Sequence, residues 1–513
     1  MTDNSNKKIA KNTLLLYIRM LFMMAIGLFT SRVILNALGI SDMGLMSVAG
    51  SVITMFTFLN ATLTSGTQRF ISYAIGENNA QRLRAVFKSA MTLHLLLAII
   101  IFFLGETLGL WYVYNKLNVE PGRFQAAMWC YQLSIISTVV GMVQLPFNSA
   151  LIAHEKMNIY AYMTIFDAVF KLLAAYLIQI VCFDRLIFYS ILIFAAELLS
   201  TFLYNLYCRK HFKECSFSFG YDKWIFRNML SFSGWNTLGC LAAMGQGTGV
   251  NLIINSFCGT VVNGARGIAF QANGWVTRFV ENFMVALNPQ IIKSYASGDI
   301  QRMSSLVING ARFGCYLFLL LGIPLFVEIE FVLKLWLGQC PEHTVAFMRI
   351  VMIETLFKTM GTPTVTAMHA TGQIKLLNIT VGSILLLIVP VSYVCFRLGL
   401  SPEQVLLINI IPWIVVPFIR VFLVKKYSQG KFPVGQYLYQ VVLKTTAMAL
   451  LMFVPIWLFS YYMQSYTDWI RFCAIFTCSL VFSAMVIYYI GLEQKYRILL
   501  VEKLKAKIGY EEK

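Results

Sequence analysis

The stretch Gln68-Arg-Phe-Ile-Ser-Tyr-Ala-Ile-Gly76 returns, altered, as Gln290-Ile-Ile-Lys-Ser-Tyr-Ala-Ser-Gly298. Gln, Ser, Tyr, Ala and Gly hold the same places 222 residues apart, and an acidic residue, Glu77 or Asp299, follows each copy. Each copy closes a long apolar segment. At an offset of 220, Gly27 answers to Gly247, Gly39 to Gly259, Gly44 to Gly264, and Gln81-Arg82 to Gln301-Arg302. The chain therefore reads as one unit of roughly 220 residues written twice, with a tail. In an apolar chain, such a duplication points to a transporter with its site between the halves.

Composition agrees. Of 513 residues, 58% are hydrophobic and 12% charged, against about 25% charged in a soluble protein. So much apolar surface does not fit inside a water-soluble core, and the chain reads as a polytopic membrane protein. The net charge of +18 would suggest nucleic acid in a soluble chain. Here it follows from Lys and Arg collecting in cytoplasmic loops, and no nucleic-acid partner is expected. The 11 cysteines are scattered, without Cys-x-x-Cys or Cys/His metal spacing. They read as free thiols, and no metal site is expected. The apolar run after the basic start, Met1 to Lys11, is too long for a cleavable signal and reads as an uncleaved anchor.

A spanning helix needs about 20 mainly apolar residues, and about fourteen such segments can be placed, from 13–37 to 468–491. Basic residues outside them gather on the side of the N-terminus. They are Lys7, Lys8 and Lys11; Arg82, Arg84 and Lys88; the stretch from Arg209 to Arg227; Lys425, Lys426 and Lys431; and the tail from Lys495. Both termini are thus expected in the cytoplasm. The longest connection sets the domain reading: a first lobe at 1–208, an inter-lobe loop at 209–226 and a second lobe at 227–427. Two further helices at 428–492 and a basic tail at 493–513 follow. That tail lies on the anionic inner leaflet or is simply solvated.

Charges inside the apolar segments carry the chemistry. A charge at the bilayer centre costs about 2.5–3.5 kcal/mol on insertion scales. Arg69, Arg420 and Lys444 near cytoplasmic ends, and Arg32, Arg266, Lys334 and Arg349 nearer the external face, can snorkel to headgroups. Arg19, Lys171, Arg278, Arg312 and Lys358 lie deeper. Asp167 and Lys171 are four apart, as are Glu354 and Lys358, which puts each pair on one helix face. Arg278 and Glu281 are three apart. Two readings stand: neutralised structural pairs, or a cationic cavity whose carboxylates release or receive charge. Such a cavity suits an anionic phosphate. Glu197 is isolated, and is either a proton or ion coupling site or a protonated packing residue. His94 reads as packing.

Gly245, Gly247 and Gly249 mark either close helix contact or a flexible, unwound segment. Pro146 and Pro363 fall at corresponding places in the two halves and favour kinks, which either let lobes rock or only pack. Aromatic clusters such as Trp111-Tyr-Val-Tyr114 read as interfacial belts. No phosphate-cradling Gly-rich loop, nucleophile elbow or zinc motif is present. The loops are too small for a membrane glycosyltransferase or polymerase.

Four stretches carry a resemblance: Asn12-Thr-Leu-Leu-Leu-Tyr-Ile-Arg19, Leu35-Asn-Ala-Leu-Gly-Ile-Ser-Asp-Met-Gly44, Gln68 to Gly76, and Leu321-Gly-Ile-Pro-Leu325. With the whole pattern they resemble the bacterial polysaccharide flippases. These proteins export O-antigen or capsular repeat units. They share a superfamily with multidrug and toxin extrusion transporters and lipid II flippases. The resemblance implies an all-α protein of about 14 helices, two pseudo-symmetric six-helix bundles in a V around a central cavity, plus two C-terminal helices. It implies an undecaprenyl-diphosphate-linked glycan as substrate, moved across the bacterial inner membrane by alternating access without covalent change. It favours Arg19, Arg32, Arg266 and Arg278 as cavity residues. The charge reading adds Lys171, Arg312 and Lys358 to them, with Asp167, Glu197, Glu281 and Glu354 as coupling or charge partners and the named glycines and prolines as hinges. No cofactor is expected, and the coupling ion, H+ or Na+, stays open. Membrane lipids and a polysaccharide polymerase are the expected partners. The alternatives are a cation-coupled multidrug exporter of the same architecture, a polyprenol-dependent transferase or polymerase, and a scaffold on the same fold.

Overall fold

The computed structural model describes residues 8–27, 29–30, 33–34, 37–38, 57–115, 122–181, 183–215, 220–337, 342–494 and 497–498. Arg32, Gly39 and Gly44 lie outside these, as does most of the 493–513 tail. Every element among the described residues is helical. In chain order the long ones are α1 Lys8–Gly27, α2 Thr57–Gly76, α3 Ala80–Asn115, α4 Phe124–Ala153, α5 Met157–Leu177, α6 Arg185–His211 and α7 Lys223–Gly259. Then come α8 260–296, α9 Ile300–Val327, α10 Thr344–Thr371, α11 Ile374–Arg397, α12 Pro402–Tyr427, α13 Val434–Ser465 and α14 Asp468–Gly491.

Eleven of the described helices are long and apolar enough to cross a membrane, which makes this a multi-pass membrane protein. The three that fall short of that measure, α2, α8 and α10, are the more polar ones. They carry Gln68 and Arg69; Arg266, Arg278 and Glu281; and Arg349, Glu354 and Lys358. The charges that interest chemistry are the charges that weaken a hydropathy signal.

Helix starts are set by capping side chains. The Asn79 side chain accepts from the Arg82 amide at 3.0 Å. Asp184 accepts from Leu186 and Ile187 at 3.0 and 3.2 Å, and Asp222 from Ile225 at 2.8 Å. Ser401 and Gln404 form a reciprocal capping box at the start of α12.

The duplication is written into the turns. From α2 to α3, Glu77 N bonds Tyr73 O, Asn78 N bonds Ile75 O and Asn79 N bonds Ala74 O. From α8 to α9, Ser297 N bonds Lys293 O, Gly298 N bonds Tyr295 O and Asp299 N bonds Ser294 O. Asn78 (φ 55°) and Gly298 (φ 80°) occupy the same left-handed position. The structural offset is therefore 220, as for the paired glycines, and Tyr73 stands where Lys293 does. The matched Gln, Ser, Tyr, Ala and Gly letters, at 222, lie two residues off the register of the fold. A second repeated turn, from α4 to α5 and from α10 to α11, puts Glu155 (φ 59°) and Gly372 (φ 75°) in the left-handed region. These two are 217 residues apart, the separation of Pro146 from Pro363.

The chain divides into two compact units. The first comprises residues 1–241, 285–299 and 372–378. Its centre is α4, which packs on α2, α3 and α6 around a core of Phe70, Ile71, Phe87, Met142 and Phe147. Within this unit the ends of α2 and α8 touch. A Cβ on Gly76 would stand 2.7 Å from Ala296 Cβ and 2.8 Å from the Lys293 carbonyl oxygen, so only glycine permits the approach. Glu155 lies beside this contact, buried, with Lys293 Nζ at 2.5 Å and Lys8 Nζ at 3.0 Å. The Glu155 carboxyl is disfavoured by burial, but the two ammonium groups outweigh that and hold its pKa below the ordinary carboxylate value.

The second unit comprises residues 242–284, 300–371 and 379–513. Its centre is α10, packed on α9 and α12, as α4 packs on α3 and α6. Helices α13 and α14 lie on α9. Apolar contacts among Tyr316, Leu319, Ile323, Met448, Met452 and Ile475 join them, and two polar pins fix them. Arg312 reaches Glu493 Oε1 at 2.6 Å and Gly491 O at 2.7 Å. Buried Glu328 accepts from Arg471 at 3.0 Å and from Ser460 at 3.1 Å.

Candidate functional site

Among the described residues, the acid–base pairs spaced four apart on α5 and α10 each anchor an internal polar cluster, one in each unit. In the first unit, Lys171 Nζ donates to Asp167 Oδ2 at 2.8 Å on α5. Glu197 on α6 lies within electrostatic reach of both, and its Oε1 would stand 3.0 Å from a Cβ on Gly141. A side chain at 141 would press on that carboxylate. The Arg19 guanidinium of α1 lies over the Tyr160 ring at 4.7 Å. Buried Tyr204 of α6 stands within electrostatic reach of Tyr160, Asp167 and Arg19. Among the described residues, Arg19 Nε and Nη1 are buried without a protein acceptor, as is Asp167 Oδ1 without a donor. Two cations and two carboxylates balance here.

In the second unit, Lys358 pairs with Glu354 on α10 and lies over the Trp413 ring of α12 at 4.2 Å. Glu354 is within electrostatic reach of Arg266 on α8. Arg266 is 4% exposed; it bonds Asn251 and stacks on Phe270 at 4.3 Å, while its Nε has no acceptor. Asn273 Nδ2 donates to Thr355 at 2.8 Å between the same two helices. Trp413 Nε1 and Asn409 Nδ2, one turn apart on α12, are buried donors without acceptors among the described residues. Two cations share one carboxylate, so this cluster carries excess positive charge.

The structure thus brings Arg19, Lys171, Asp167 and Glu197 together in one unit, and Arg266, Lys358 and Glu354 in the other. It does not bring Arg278 or Arg312 to either. Arg278 and Glu281 are both exposed, which is compatible with the depth along α8 that the sequence reading gives Arg278. Arg266, placed near the external face where it could snorkel and favoured by the resemblance as a cavity residue, is buried. Arg312 is deep, 1% exposed, but spent. Asn309, Tyr316 and Gln440 join Glu493 and Gly491 around its guanidinium. Arg32 lies outside the described residues. His94 is buried and bonds Thr67 at 2.9 Å, a packing arrangement.

Of the expected hinges, Gly245 and Gly249 sit against Leu386 and Val389 within the second unit, and Gly247 faces open space. Helix α7 runs through all three without unwinding, and its backbone breaks at Gly259, with φ 81° and ψ −178°. Pro146 and Pro363 are buried within continuous helices α4 and α10. Sequence reasoning passed over Tyr160, Tyr204, Asn251, Asn409 and Trp413, which have no charge to mark them. It also passed over Glu155, whose unusual backbone is invisible in the letters.

Comparison with known proteins agrees with this architecture. The family model MatE matches residues 16–177. No curated protein matches the sequence. A crystal structure of MATE in the bent conformation superposes with a TM-score of 0.73 at 13% identity, covering 83% of this chain and 96% of that one. An outward-facing multidrug resistance MATE family transporter of the MOP superfamily gives 0.70 at 12%, with the same coverage. So does a MOP superfamily transporter from Pyrococcus furiosus, for which reverse polarity of the binding pocket is said to suggest a different function. The fold of this chain is the MATE transporter fold.

Proposed function

We propose that this chain is a transporter that carries an anionic, lipid-diphosphate-linked oligosaccharide across the bacterial inner membrane, without covalent change to it. The observation that carries this reading is the state of the Arg19 and Arg266 guanidinium groups. Arg19 Nε and Nη1 and Arg266 Nε are withdrawn from solvent with no protein acceptor. A buried donor without an acceptor is costly, and phosphate oxygens fit guanidinium donors in charge and geometry. The transporter fold supplies the membrane path. The excess of cations over carboxylates around Arg266 and Lys358 supports a negatively charged cargo. The undecaprenyl chain would stay among lipids, and a polymerase would draw off the product. Energy from an H+ or Na+ gradient belongs to the same proposal, with Asp167 and Glu197 as the carboxylates to test.

A second reading, a cation-coupled multidrug exporter, is favoured by the match of MatE to residues 16–177 and by the balanced charges around Asp167 and Lys171. The two readings separate in proteoliposomes loaded with either a labelled undecaprenyl-diphosphate oligosaccharide or a lipophilic cationic dye. Arg266→Ala and Arg19→Ala should each slow glycan-lipid translocation about tenfold, the effect of losing one charged contact of about 1.4 kcal/mol. Lys334→Ala, removing an exposed pair with Glu330, should change it by less than about twofold. Dye efflux without glycan-lipid transport would give the protein to the second reading.

A further inference from the structure

We infer that Glu354 is a built-in competitor of the substrate's phosphates: it occupies Lys358 and shields the nearby Arg266 until the diphosphate displaces it. This rests on the glycan-lipid reading above and concerns how that cargo is held and released. Glu354 is 5% exposed; it pairs with Lys358 on its own α10 and lies within electrostatic reach of Arg266 on α8 without forming an ion pair with it. One carboxylate cannot saturate both. Among the described residues, Arg266 has a buried Nε without an acceptor and bonds the neutral Asn251 side chain.

Further donors lie on α12, one turn of which meets Lys358. Trp413 Nε1 and Asn409 Nδ2 are buried and unpartnered, and the Trp413 ring carries the Lys358 ammonium at 4.2 Å. An array of spare donors around an incomplete set of acceptors matches an oxygen-rich anion with several acceptor atoms. The Lys358 side chain is 33% exposed while Arg266 is 4% exposed. Entry therefore runs from the lysine inward, and a phosphate meets the Lys358–Glu354 pair first. The carboxylate then acts in two ways. It keeps the empty site from trapping Lys358 and Arg266 as uncompensated charges. It also returns to them as the phosphate leaves, which limits affinity and speeds release. A site of this kind discriminates for cargo able to outbid one carboxylate, and a monoanion has little advantage over Glu354 itself.

The full-length protein in nanodiscs tests this by direct binding of a fluorescent short-chain polyprenyl diphosphate. Glu354→Gln should bind the probe about tenfold more tightly than wild type, equivalent to one lost competing charge contact. The gain should vanish in Glu354→Gln combined with Arg266→Gln. A polyprenyl monophosphate should show a smaller gain. If wild type binds the diphosphate and a folded Glu354→Gln binds it no better, the competitor role is overturned while the glycan-lipid reading stands. If neither binds it and both bind a cationic dye, the reading and the inference fall together. Should Glu354→Gln not fold, Glu354→Asp decides. Its shorter arm should tighten binding two- to threefold by loosening the hold on Lys358, and unchanged affinity would overturn the proposal.

Discussion

Arg312 and Arg266 are both buried arginines of the second unit, 1% and 4% exposed, and they are opposites. Arg312 donates to Glu493, Gly491, Gln440, Asn309 and Tyr316, tying α9 to the ends of α13 and α14. Arg266 bonds Asn251 and leaves Nε bare beside an overcommitted carboxylate. Burial of a charge is thus not in itself a functional signal. The discriminating property is whether the protein has already answered every donor. A satisfied guanidinium is a fastening, whereas an unsatisfied one waits for a ligand.

The sharpest way to break that contrast is to remove the fastening. Arg312→Met should destabilise the protein by about 2–3 kcal/mol, since it orphans the Gly491 carbonyl and the Gln440 side chain, while Glu493, 51% exposed, regains solvent. Thermal unfolding in detergent should show this as a large fall in midpoint. Arg312→Lys should recover little, because one ammonium cannot reach acceptors arranged for a planar fork. An equal midpoint for wild type and Arg312→Met would remove the distinction between the two arginines.

A second test compares Glu155 with its repeat partner Gly372. Both sit in the left-handed region, which costs a non-glycine residue about 1–2 kcal/mol. Glutamate is retained there with its carboxylate on Lys293 and Lys8, so strain and charge pairing oppose each other at one residue. Glu155→Gln keeps the strain and loses the charge, and should destabilise by about 2–4 kcal/mol. Glu155→Gly loses the charge and also the strain, and should fall about 1–2 kcal/mol short of that loss. Equal midpoints for the two variants would show that the backbone at 155 stores no strain.

Much of this fold was legible in the letters, because apolar runs and a duplication survive averaging over many residues. The repeat was seen through Gln68 to Gly76, yet the turns show that this alignment is shifted by two. Polar letters can coincide, whereas the left-handed residue at Asn78 and Gly298 is fixed by backbone sterics. The sites were less legible. The four-residue spacings of Asp167–Lys171 and Glu354–Lys358 predicted pairs, and pairs are present. Depth along a helix, however, does not reveal which way a side chain faces. Arg278 and Arg312 share the depth expected of site residues; one is exposed and the other fully bonded. That distinction depends on neighbours from helices remote in sequence, as Gln440 and Glu493 are from Arg312.

The smallest effect separates the two kinds of charge by acidity. Glu155 lies in the turn between α4 and α5, where Lys293 and Lys8 hold its pKa below the ordinary carboxylate value. A carboxyl with a lower pKa in the folded state contributes stability at pH above the unfolded value, about 4.3 for glutamate. That contribution shrinks as pH falls through the folded value, because protonation ends the pairing. Glu214 behaves alike: burial raises its pKa, but the hydrogen bond with His154, a backbone hydrogen bond and the nearby Arg84 together outweigh that and lower it. Unfolding midpoints measured from pH 7 downward should therefore fall below about pH 5. Glu155→Gln should start lower at pH 7 and lose less on acidification, so that the two curves converge. Parallel curves would mean that the carboxylate beside Lys293 is not charged in the folded protein, and that this closure of α2 on α8 owes its stability to the Gly76–Ala296 contact alone.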